Sequence, residues 1–207
     1  MSKAKAKKIK LILMDVDGVM TDGTIWLFPA PHGVEGHPKG GAGAKLDAGG
    51  YAIAPGMMIE AKGFSAHDGT GISLARMAGL KTGAVTKRIS ETVALRARDL
   101  KLDYVHQGVV DKADALDQIL KEAGLKAEEV AFLGDDLVDL PIMRRCGLAM
   151  AVANAREEVK DEAQFITDHR GGDGAARDAI EFILRAQGKW DEVVKKYLSR
   201  SEGKREG

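Results

Sequence analysis

The segment of residues 11–23, which reads LILMDVDGVMTDG, is the feature that most constrains how this chain folds. Four apolar residues end at Asp15, and Asp17 follows one residue later. A short apolar run bounded by charge predicts a buried strand over residues 10–14. The glycine after Asp17 indicates that this strand opens into a turn. Two carboxylates at positions i and i+2 of such an opening can face the same side.

Strand-like and helix-like segments alternate over the rest of the chain. Further strands are predicted over residues 24–28, 59–65, 81–85, 104–106, 130–133, 148–152 and 165–167. Helices are predicted over residues 70–78, 91–100, 112–123, 137–146, 157–163 and 175–187. Strands that alternate with helices in this way are typical of βαβ units, with helices on both faces of a parallel sheet. The sequence therefore predicts a doubly wound, mostly parallel α/β fold.

The length of 207 residues suits one core domain with an insertion. We expect a single core over residues 1–190, from which a β-hairpin arm over residues 24–65 projects. The tip of this arm, residues 29–58, holds four prolines and many glycines without an amphipathic period, which indicates a long irregular insertion. Residues 191–207 are predicted to form a C-terminal helix that continues into a flexible tail, SRSEGKREG.

The composition excludes several classes of function. Basic and acidic residues both number 31, so the net charge of +0 offers no field for nucleic acid or a membrane surface. The aromatic fraction of 5% also argues against base-stacking platforms. The one cysteine, Cys146, excludes an intrachain disulfide and is expected to be a buried structural thiol. The apolar run at residues 11–14 is too short for a signal peptide or a membrane span, so we expect a cytoplasmic protein.

Polar side chains follow four of the predicted strands, at the edge where parallel α/β sheets bind ligands. Their order along the chain is Asp15 and Asp17, then Thr86, Lys87 and Arg88, then Gln107, Gly108, Asp111 and Lys112, then Gly134, Asp135, Asp136 and Asp139. Carboxylates gathered at one edge repel one another unless a cation lies among them, and Mg²⁺ prefers such hard oxygen ligands. A hydroxyl from Thr86 and an ammonium from Lys112 would hold phosphate oxygens.

Two aspartates beside such a metal can divide the chemistry of phosphoryl transfer. One carboxylate attacks as a nucleophile, and the other donates a proton to the leaving oxygen and later takes one from water. Each motif alone has a simpler interpretation, such as an Asx turn at Asp15–Asp17, a backbone-bonded hydroxyl at Thr86, or a solvated Lys112. The agreement of order and spacing at four consecutive strands favours metal-assisted phosphoryl transfer through an aspartyl phosphate.

These residues resemble the four motifs of the haloacid dehalogenase-like phosphohydrolase superfamily, namely DVDGV at residues 15–19, Thr86, Lys112 and GDDLVD at residues 134–139. Further segments are similar to the branch that acts on 3-deoxy-D-manno-octulosonate 8-phosphate in lipopolysaccharide biosynthesis. They are DVDGVMTDG at 15–23, FSAHDGTGI at 64–72, LGDDLVDLPIM at 133–143, AVANA at 151–155, GGDGAARD at 171–178 and AQGKWDE at 186–192. The similarity covers nearly all of the chain except residues 29–58 and the two ends.

The resemblance implies a role for each matching residue. Asp15 would be the nucleophile and a Mg²⁺ ligand, and Asp17 the general acid/base, with its backbone carbonyl on the metal. Asp135 would complete the protein ligands, and Asp136 and Asp139 would position it or its waters. Thr86 would hold a phosphoryl oxygen, and Lys112 would neutralise the phosphate and Asp15. The resemblance also implies substrate contacts from Lys87, Arg88, Asp68 and Gly69.

The same resemblance implies the architecture and the partners. This branch lacks a large cap domain. The resemblance therefore implies a homotetramer in which a hairpin arm and a neighbour's tail close the site. The expected substrate is a small phosphorylated 2-keto-3-deoxy sugar acid, with no nucleic acid and no membrane as partner.

Three departures bear on the choice of substrate. Lys87 stands where the family usually has glycine, Asp173 stands where it often has arginine, and residues 29–58 expand a tight turn. A different small phosphorylated metabolite, selected by the inserted arm, is therefore the alternative substrate. A non-catalytic assembly protein is the remaining alternative, against which the intact motif set argues.

Overall fold

The computed structural model describes residues 2–29 and 58–202 of the chain. Its strands are β1 (Leu11–Met14), β2 (Trp26–Pro29), β3 (Met58–Ala61), β4 (Lys81–Val85), β5 (Tyr104–His106), β6 (Val130–Gly134), β7 (Leu148–Ala151) and β8 (Phe165–Ile166). Its helices are α1 (Ser2–Ala6), α2 (Ala66–Met77), α3 (Glu91–Leu100), α4 (Lys112–Ala123), α5 (Leu140–Met143), α6 (Glu157–Glu162), α7 (Ala175–Ala186) and α8 (Trp190–Glu202).

Six of the strands form one parallel sheet in the order β5-β4-β1-β6-β7-β8. The chain moves outward from β1 to β4 and β5, then returns past β1 to build β6, β7 and β8. The order reverses at β1, and such a reversal opens a crevice at the carboxyl ends of the strands. Helices α2, α7 and α8 contact one another in one group, and α4, α5 and α6 form another. The predicted doubly wound α/β fold is confirmed.

The central strands are almost continuously apolar because both faces of a parallel sheet are covered. Every residue of β1, β6 and β7 is buried. Such burial makes β1 a rigid support for the residue that follows it, Asp15.

The predicted hairpin arm is present, since β2 pairs antiparallel with β3 and Trp26 lies opposite Ala61. The return strand ends at Ala61 instead of at residue 65. The next helix also begins earlier than predicted, at Ala66, because the Ser65 side chain accepts a hydrogen bond from the His67 backbone N–H at 3.2 Å. The predicted irregular tip lies outside the described residues, except for the two strand ends. Within residues 2–29 and 58–202, no second domain covers the sheet.

Two further helix predictions need correction. Residues 137–146 do not form one helix, because Asp136 and Asp139 cap a short 3₁₀ turn, Leu137–Asp139, which leads into α5. At the C-terminus, α8 runs to Glu202, so residues 199–202 are helical, whereas the sequence predicted disorder from Ser199 onward. Residues 203–207 lie outside the described part of the chain. None of the described helices has the length and apolar character needed to cross a membrane.

Candidate active site

Asp15 lies at the centre of the carboxyl edge of the sheet because it follows the central strand β1. The two neighbours of β1 are β4 and β6, so the residues after those strands, Thr86 and Asp135, flank Asp15. The Asp15 backbone N–H donates to the Leu133 carbonyl at 3.1 Å, which extends the pairing with β6 by one residue. Its side chain accepts from the Val16 N–H at 2.7 Å. Both contacts fix the orientation of the Asp15 carboxylate.

A buried lysine joins two of the aspartates. Lys112, the first residue of α4, is 2% exposed, and its Nζ lies 2.8 Å from Asp15 Oδ2 and 2.6 Å from Asp139 Oδ1. Asp139 is fully buried, and its other oxygen accepts from the backbone N–H groups of Asp135 and Asp136 at 2.9 and 3.3 Å. Asp139 therefore connects the loop after β6 to Lys112, and Lys112 connects that loop to Asp15.

Burial and charge shift the pKa values of this cluster. Burial, together with repulsion from Asp139, raises the pKa of Asp15 to about 6, although Lys112 opposes the shift. Burial alone would lower the pKa of Lys112, but the attraction of Asp15 and Asp139 outweighs it and raises that pKa above 10.5. The lysine is therefore a fixed positive charge against the Asp15 carboxylate.

Asp135 is the group in this cluster that lacks a counter-charge of its own. Burial and the nearby carboxylates of Asp139 and Asp15 raise its pKa to about 8. Its Oδ1 is buried without a hydrogen-bond partner, and one oxygen each of Asp15, Asp135 and Asp139 lies within 4.8 Å of the others. An orphaned carboxylate oxygen among hard oxygen donors fits a divalent cation such as Mg²⁺.

Gly18 allows the turn after Asp17 to approach this group closely. It has a φ of +95°, and a Cβ added there would lie 2.2 Å from Asp135 Oδ2. Only glycine permits both the backbone conformation and the contact.

Asp136 does not join the carboxylate cluster, contrary to its predicted place among the metal ligands. Its side chain is exposed and accepts from the Leu137 backbone N–H at 2.7 Å, as the N-cap of the 3₁₀ turn. The contact that the structure shows for Asp136 is therefore with the turn, and its positioning role stays a prediction.

Asp17 lies in the turn Val16–Met20, with φ −79° and ψ +111°, outside the helical range. Its carboxylate is 20% exposed, and its two oxygens face two cations. Oδ1 contacts the Nζ of Lys62, and Oδ2 lies 3.7 Å from the Nε of Arg88. Lys62 was not among the site residues predicted from the sequence. Its position directly after the return strand of the arm is the one signal in the sequence that could have indicated it.

Thr86 is buried at the end of β4, and its hydroxyl accepts from the Arg88 backbone N–H at 3.4 Å. The Arg88 carbonyl accepts from the Gly108 N–H at 3.3 Å, which closes the loop against the end of β5. Lys87 replaces the usual glycine without strain, since Lys101 is the one non-glycine residue with positive φ in the described part of the chain. The loop therefore places Thr86 at the end of the strand next to β1, and it places Arg88 beside Asp17.

Asp68 and Gly69, which were predicted as substrate contacts, contact neighbouring helices in the described part of the chain. Both lie in the first turn of α2. Asp68 is 3% exposed, and its carboxylate accepts from the Arg177 backbone N–H at 2.9 Å, near the start of α7. A Cβ on Gly69 would lie 3.0 Å from a guanidinium nitrogen of Arg96, on α3. Both residues therefore lie where α2 packs against neighbouring helices.

The loop before α7 packs directly on the turn that carries Asp17. The Gly172 N–H donates to the Val19 carbonyl at 2.9 Å, and a Cβ on Gly171 would lie 1.7 Å from the Gly18 carbonyl oxygen. Asp173 is exposed in the same loop. Asp173, one of the departures from the family pattern, therefore lies in a loop that contacts the turn carrying Asp17.

Comparison with known proteins agrees with this geometry. A family model described as haloacid dehalogenase-like hydrolase matches residues 84–178. The 3-deoxy-D-manno-octulosonate 8-phosphate phosphatase of Escherichia coli K12 is 33% identical over 190 residues, which make up 92% of this chain and 87% of that protein.

Solved structures of similar proteins superpose on most of the chain. A 3-deoxy-D-manno-octulosonate 8-phosphate phosphatase from Moraxella catarrhalis, in complex with magnesium ion, phosphate ion and a KDO molecule, has a TM-score of 0.77 at 32% identity. That match covers 94% of this chain and 97% of the other. A probable YrbI family phosphatase from Pseudomonas syringae has a TM-score of 0.77 at 39% identity, covering 95% and 96%. The chain therefore belongs to the haloacid dehalogenase-like hydrolase family, and it is a phosphatase.

Proposed function

We propose that this phosphatase hydrolyses a phosphomonoester with the help of Mg²⁺ and through an aspartyl phosphate on Asp15. The observation that carries the proposal is the buried Asp15 carboxylate, held by Lys112 and the Val16 N–H beside an Asp135 oxygen without a partner. Asp15, Asp135 and the backbone carbonyl of Asp17 would hold the cation. When bound, Mg²⁺ supplies positive charge that brings the anionic phosphate and the anionic nucleophile together.

The chain's own residues account for both chemical steps. A carboxylate oxygen of Asp15 attacks phosphorus, the bond to the leaving oxygen breaks, and Asp17 donates the proton that this oxygen needs. In the second step Asp17 removes a proton from water, the water oxygen attacks phosphorus, and the bond to Asp15 breaks. Inorganic phosphate is released, and both aspartates return to their starting states. Throughout, Thr86 donates to a phosphoryl oxygen, and Lys112 balances the charge on Asp15.

The proposed substrate is a phosphorylated 2-keto-3-deoxy sugar acid such as 3-deoxy-D-manno-octulosonate 8-phosphate. The names of the E. coli and Moraxella relatives and the KDO molecule in the latter's structure support this substrate. Arg88, with Lys87 beside it, supplies positive charge for the sugar-acid carboxylate. The product alcohol would then serve lipopolysaccharide biosynthesis.

A second candidate is another small phosphorylated metabolite without a carboxylate. Asp173 favours it, since this exposed side chain lies in the loop that packs against Gly18 and Val19 and would repel an anionic sugar acid. Residues 29–58, most of which lie outside the described part of the chain, would then contribute to the choice of substrate.

A panel of phosphate esters distinguishes the two candidates. The panel contains 3-deoxy-D-manno-octulosonate 8-phosphate, neutral sugar phosphates and nucleoside monophosphates, and kcat/KM is measured with Mg²⁺. We expect the sugar acid to exceed every other ester by at least about 10-fold, or about 1.4 kcal/mol in transition-state binding. A higher value for a neutral sugar phosphate would reject the sugar-acid assignment. The Asp15→Asn variant, purified in the same way, controls for contaminating phosphatase.

We also propose a cytoplasmic homotetramer. The arm carries large apolar side chains that are well exposed in one chain, with Trp26 at 57% and Phe28 at 49%. Exposed apolar patches of this kind mark sites of association. Light scattering at micromolar concentration tests the assembly, and a monomer there would contradict it.

A further inference from the structure

Lys62 belongs to the hairpin arm, yet its charged end reaches the proposed general acid/base. It is the first residue after β3, and its side chain has no solvent-accessible surface. Its Nζ contacts Asp17 Oδ1. A lysine without accessible surface is not placed to bind a substrate in this arrangement, and the site residue that its charged end contacts is Asp17.

The contact is part of a network that attaches the return strand to the edge of the sheet. One residue before Ala61, Glu60 faces Arg88, with Oε2 3.5 Å from a guanidinium nitrogen, and it accepts a hydrogen bond from the Ser90 hydroxyl. The Glu60 carbonyl also accepts from the Thr92 hydroxyl at 3.3 Å. The start of α3 therefore holds the strand in place, and the strand in turn places Lys62.

The loop after β4 is supported from its other side as well. The Gln107 side-chain oxygen accepts from the Ser90 backbone N–H at 2.8 Å. Arg88, whose Nε lies 3.7 Å from Asp17 Oδ2, is thus held between Glu60 and the loop. The two Asp17 oxygens consequently face cations from two different elements, and rotation of the carboxylate would break at least one of these pairs.

We propose that Lys62 is a positioning residue that orients Asp17 toward the leaving oxygen, so that the hairpin arm completes the general acid/base of its own chain. This inference rests on the proposed role of Asp17. Protons are transferred efficiently only at hydrogen-bond distance, and general acid–base catalysis contributes about 10² to 10⁴-fold. A misdirected Asp17 loses part of that factor, whereas phosphate binding by Thr86 and Lys112 is preserved.

The test uses leaving groups that differ in their need for a proton. Phenyl phosphate releases a phenol with a pKa near 10, like that of tyrosine, whereas p-nitrophenyl phosphate releases a much weaker base. In Lys62→Met, we expect kcat/KM to fall by about 30-fold or more for phenyl phosphate and by less than about 3-fold for p-nitrophenyl phosphate. The inhibition constant of inorganic phosphate is expected to stay within about 2-fold.

Three variants make the result decisive. Lys62→Arg keeps a cation and should restore part of the lost activity toward phenyl phosphate. In an Asp17→Asn background, Lys62→Met should have no further effect, since a positioning residue acts only through its partner. Lys160→Met, which removes a lysine paired with Glu157 at 2.9 Å, is the matched control. It should leave kcat/KM unchanged for both esters.

The outcomes separate this inference from the proposed function. Equal losses for both esters, or an additive loss in the Asp17→Asn background, would reject Lys62 as a positioning residue and leave the aspartyl-phosphate mechanism intact. If Asp17→Asn lowers kcat/KM equally for phenyl phosphate and p-nitrophenyl phosphate, then the proposed role of Asp17 is wrong, and the role of Lys62 is rejected with it. Thermal melts of all variants identify any loss caused by unfolding.

Discussion

Lys112 Nζ lies 2.8 Å from Asp15 Oδ2, and the same nitrogen lies 2.6 Å from Asp139 Oδ1. One buried ammonium thus joins the residue after β1 to the loop after β6. Two buried carboxylates would repel each other without it, so the contact both offsets that repulsion and holds Asp15, the proposed nucleophile.

Replacing Asp15, the proposed nucleophile, should abolish turnover and leave the fold intact. In Asp15→Asn, the amide oxygen can still accept from the Val16 N–H, which now bonds the carboxylate at 2.7 Å, but it cannot form an acyl phosphate. We expect kcat to fall by about 10⁴-fold or more, as for the loss of a nucleophile elsewhere. Steady-state phosphate release measures the effect, and circular dichroism checks the fold. Near-native hydrolysis would show that another residue attacks phosphorus.

Removing the buried lysine should destabilise the protein. Lys112→Met leaves Asp139, which is fully buried, without its counter-charge, and breaking a buried pair in this way costs about 3–5 kcal/mol. The free energy of unfolding is measured by urea denaturation. The double variant Lys112→Met/Asp139→Asn should recover part of the loss, because the uncompensated charge is gone. Simple additivity of the two single variants would contradict the coupling.

Magnesium should stabilise the fold through Asp135. A cation beside its unpartnered Oδ1 would offset the repulsion from Asp15 and Asp139 that now raises the pKa of Asp135. At a concentration 100 times the dissociation constant, binding adds about 2.7 kcal/mol to the free energy of unfolding. We expect Mg²⁺ to raise the Tm of the native chain, EDTA to reverse the effect, and Asp135→Asn to lose it. Asp136→Asn is the matched control and should keep the Mg²⁺ shift, since Asp136 caps the neighbouring turn.

Asp68 should make stability depend on pH in a direction opposite to that of most acidic residues. Burial raises its pKa to about 6 from 3.8, although the N–H groups at the start of α7 oppose the shift. Between these values the unfolded chain releases a proton that the folded chain retains, so the contribution of Asp68 to stability falls as pH rises. At about 1.4 kcal/mol per pKa unit, the loss is roughly 3 kcal/mol.

The neutral analogue Asp68→Asn reveals this contribution. We expect the free energy of unfolding of Asp68→Asn, relative to that of the native chain, to increase by about 2.4 kcal/mol from pH 4 to pH 7, since part of the change already occurs below pH 4. Urea denaturation at several pH values provides the comparison. A difference that stays constant over this range would contradict the raised pKa of Asp68.

Local patterns in the sequence determined most of the fold. The strand over residues 81–85, the strand over residues 104–106 and the helix over residues 112–123 have the predicted bounds, because their apolar runs, caps and glycine stops lie within a few residues of each other. The alternation of strands and helices then requires a parallel sheet, and the sheet places Asp15, Thr86 and Asp135 at one edge. The placement of these three residues at one edge of the sheet therefore follows from the sequence alone.

The tertiary structure alone decided which of the acidic and basic residues contact one another. Asp135 and Asp136 are adjacent in sequence, yet one faces the cluster and the other caps a turn, in a loop whose backbone N–H groups at both residues donate to Asp139. Asp68 supports a helix far from it in sequence, and Lys62 reaches Asp17 from the arm. Such contacts depend on the packing of distant segments, whose side-chain directions local periodicity does not record.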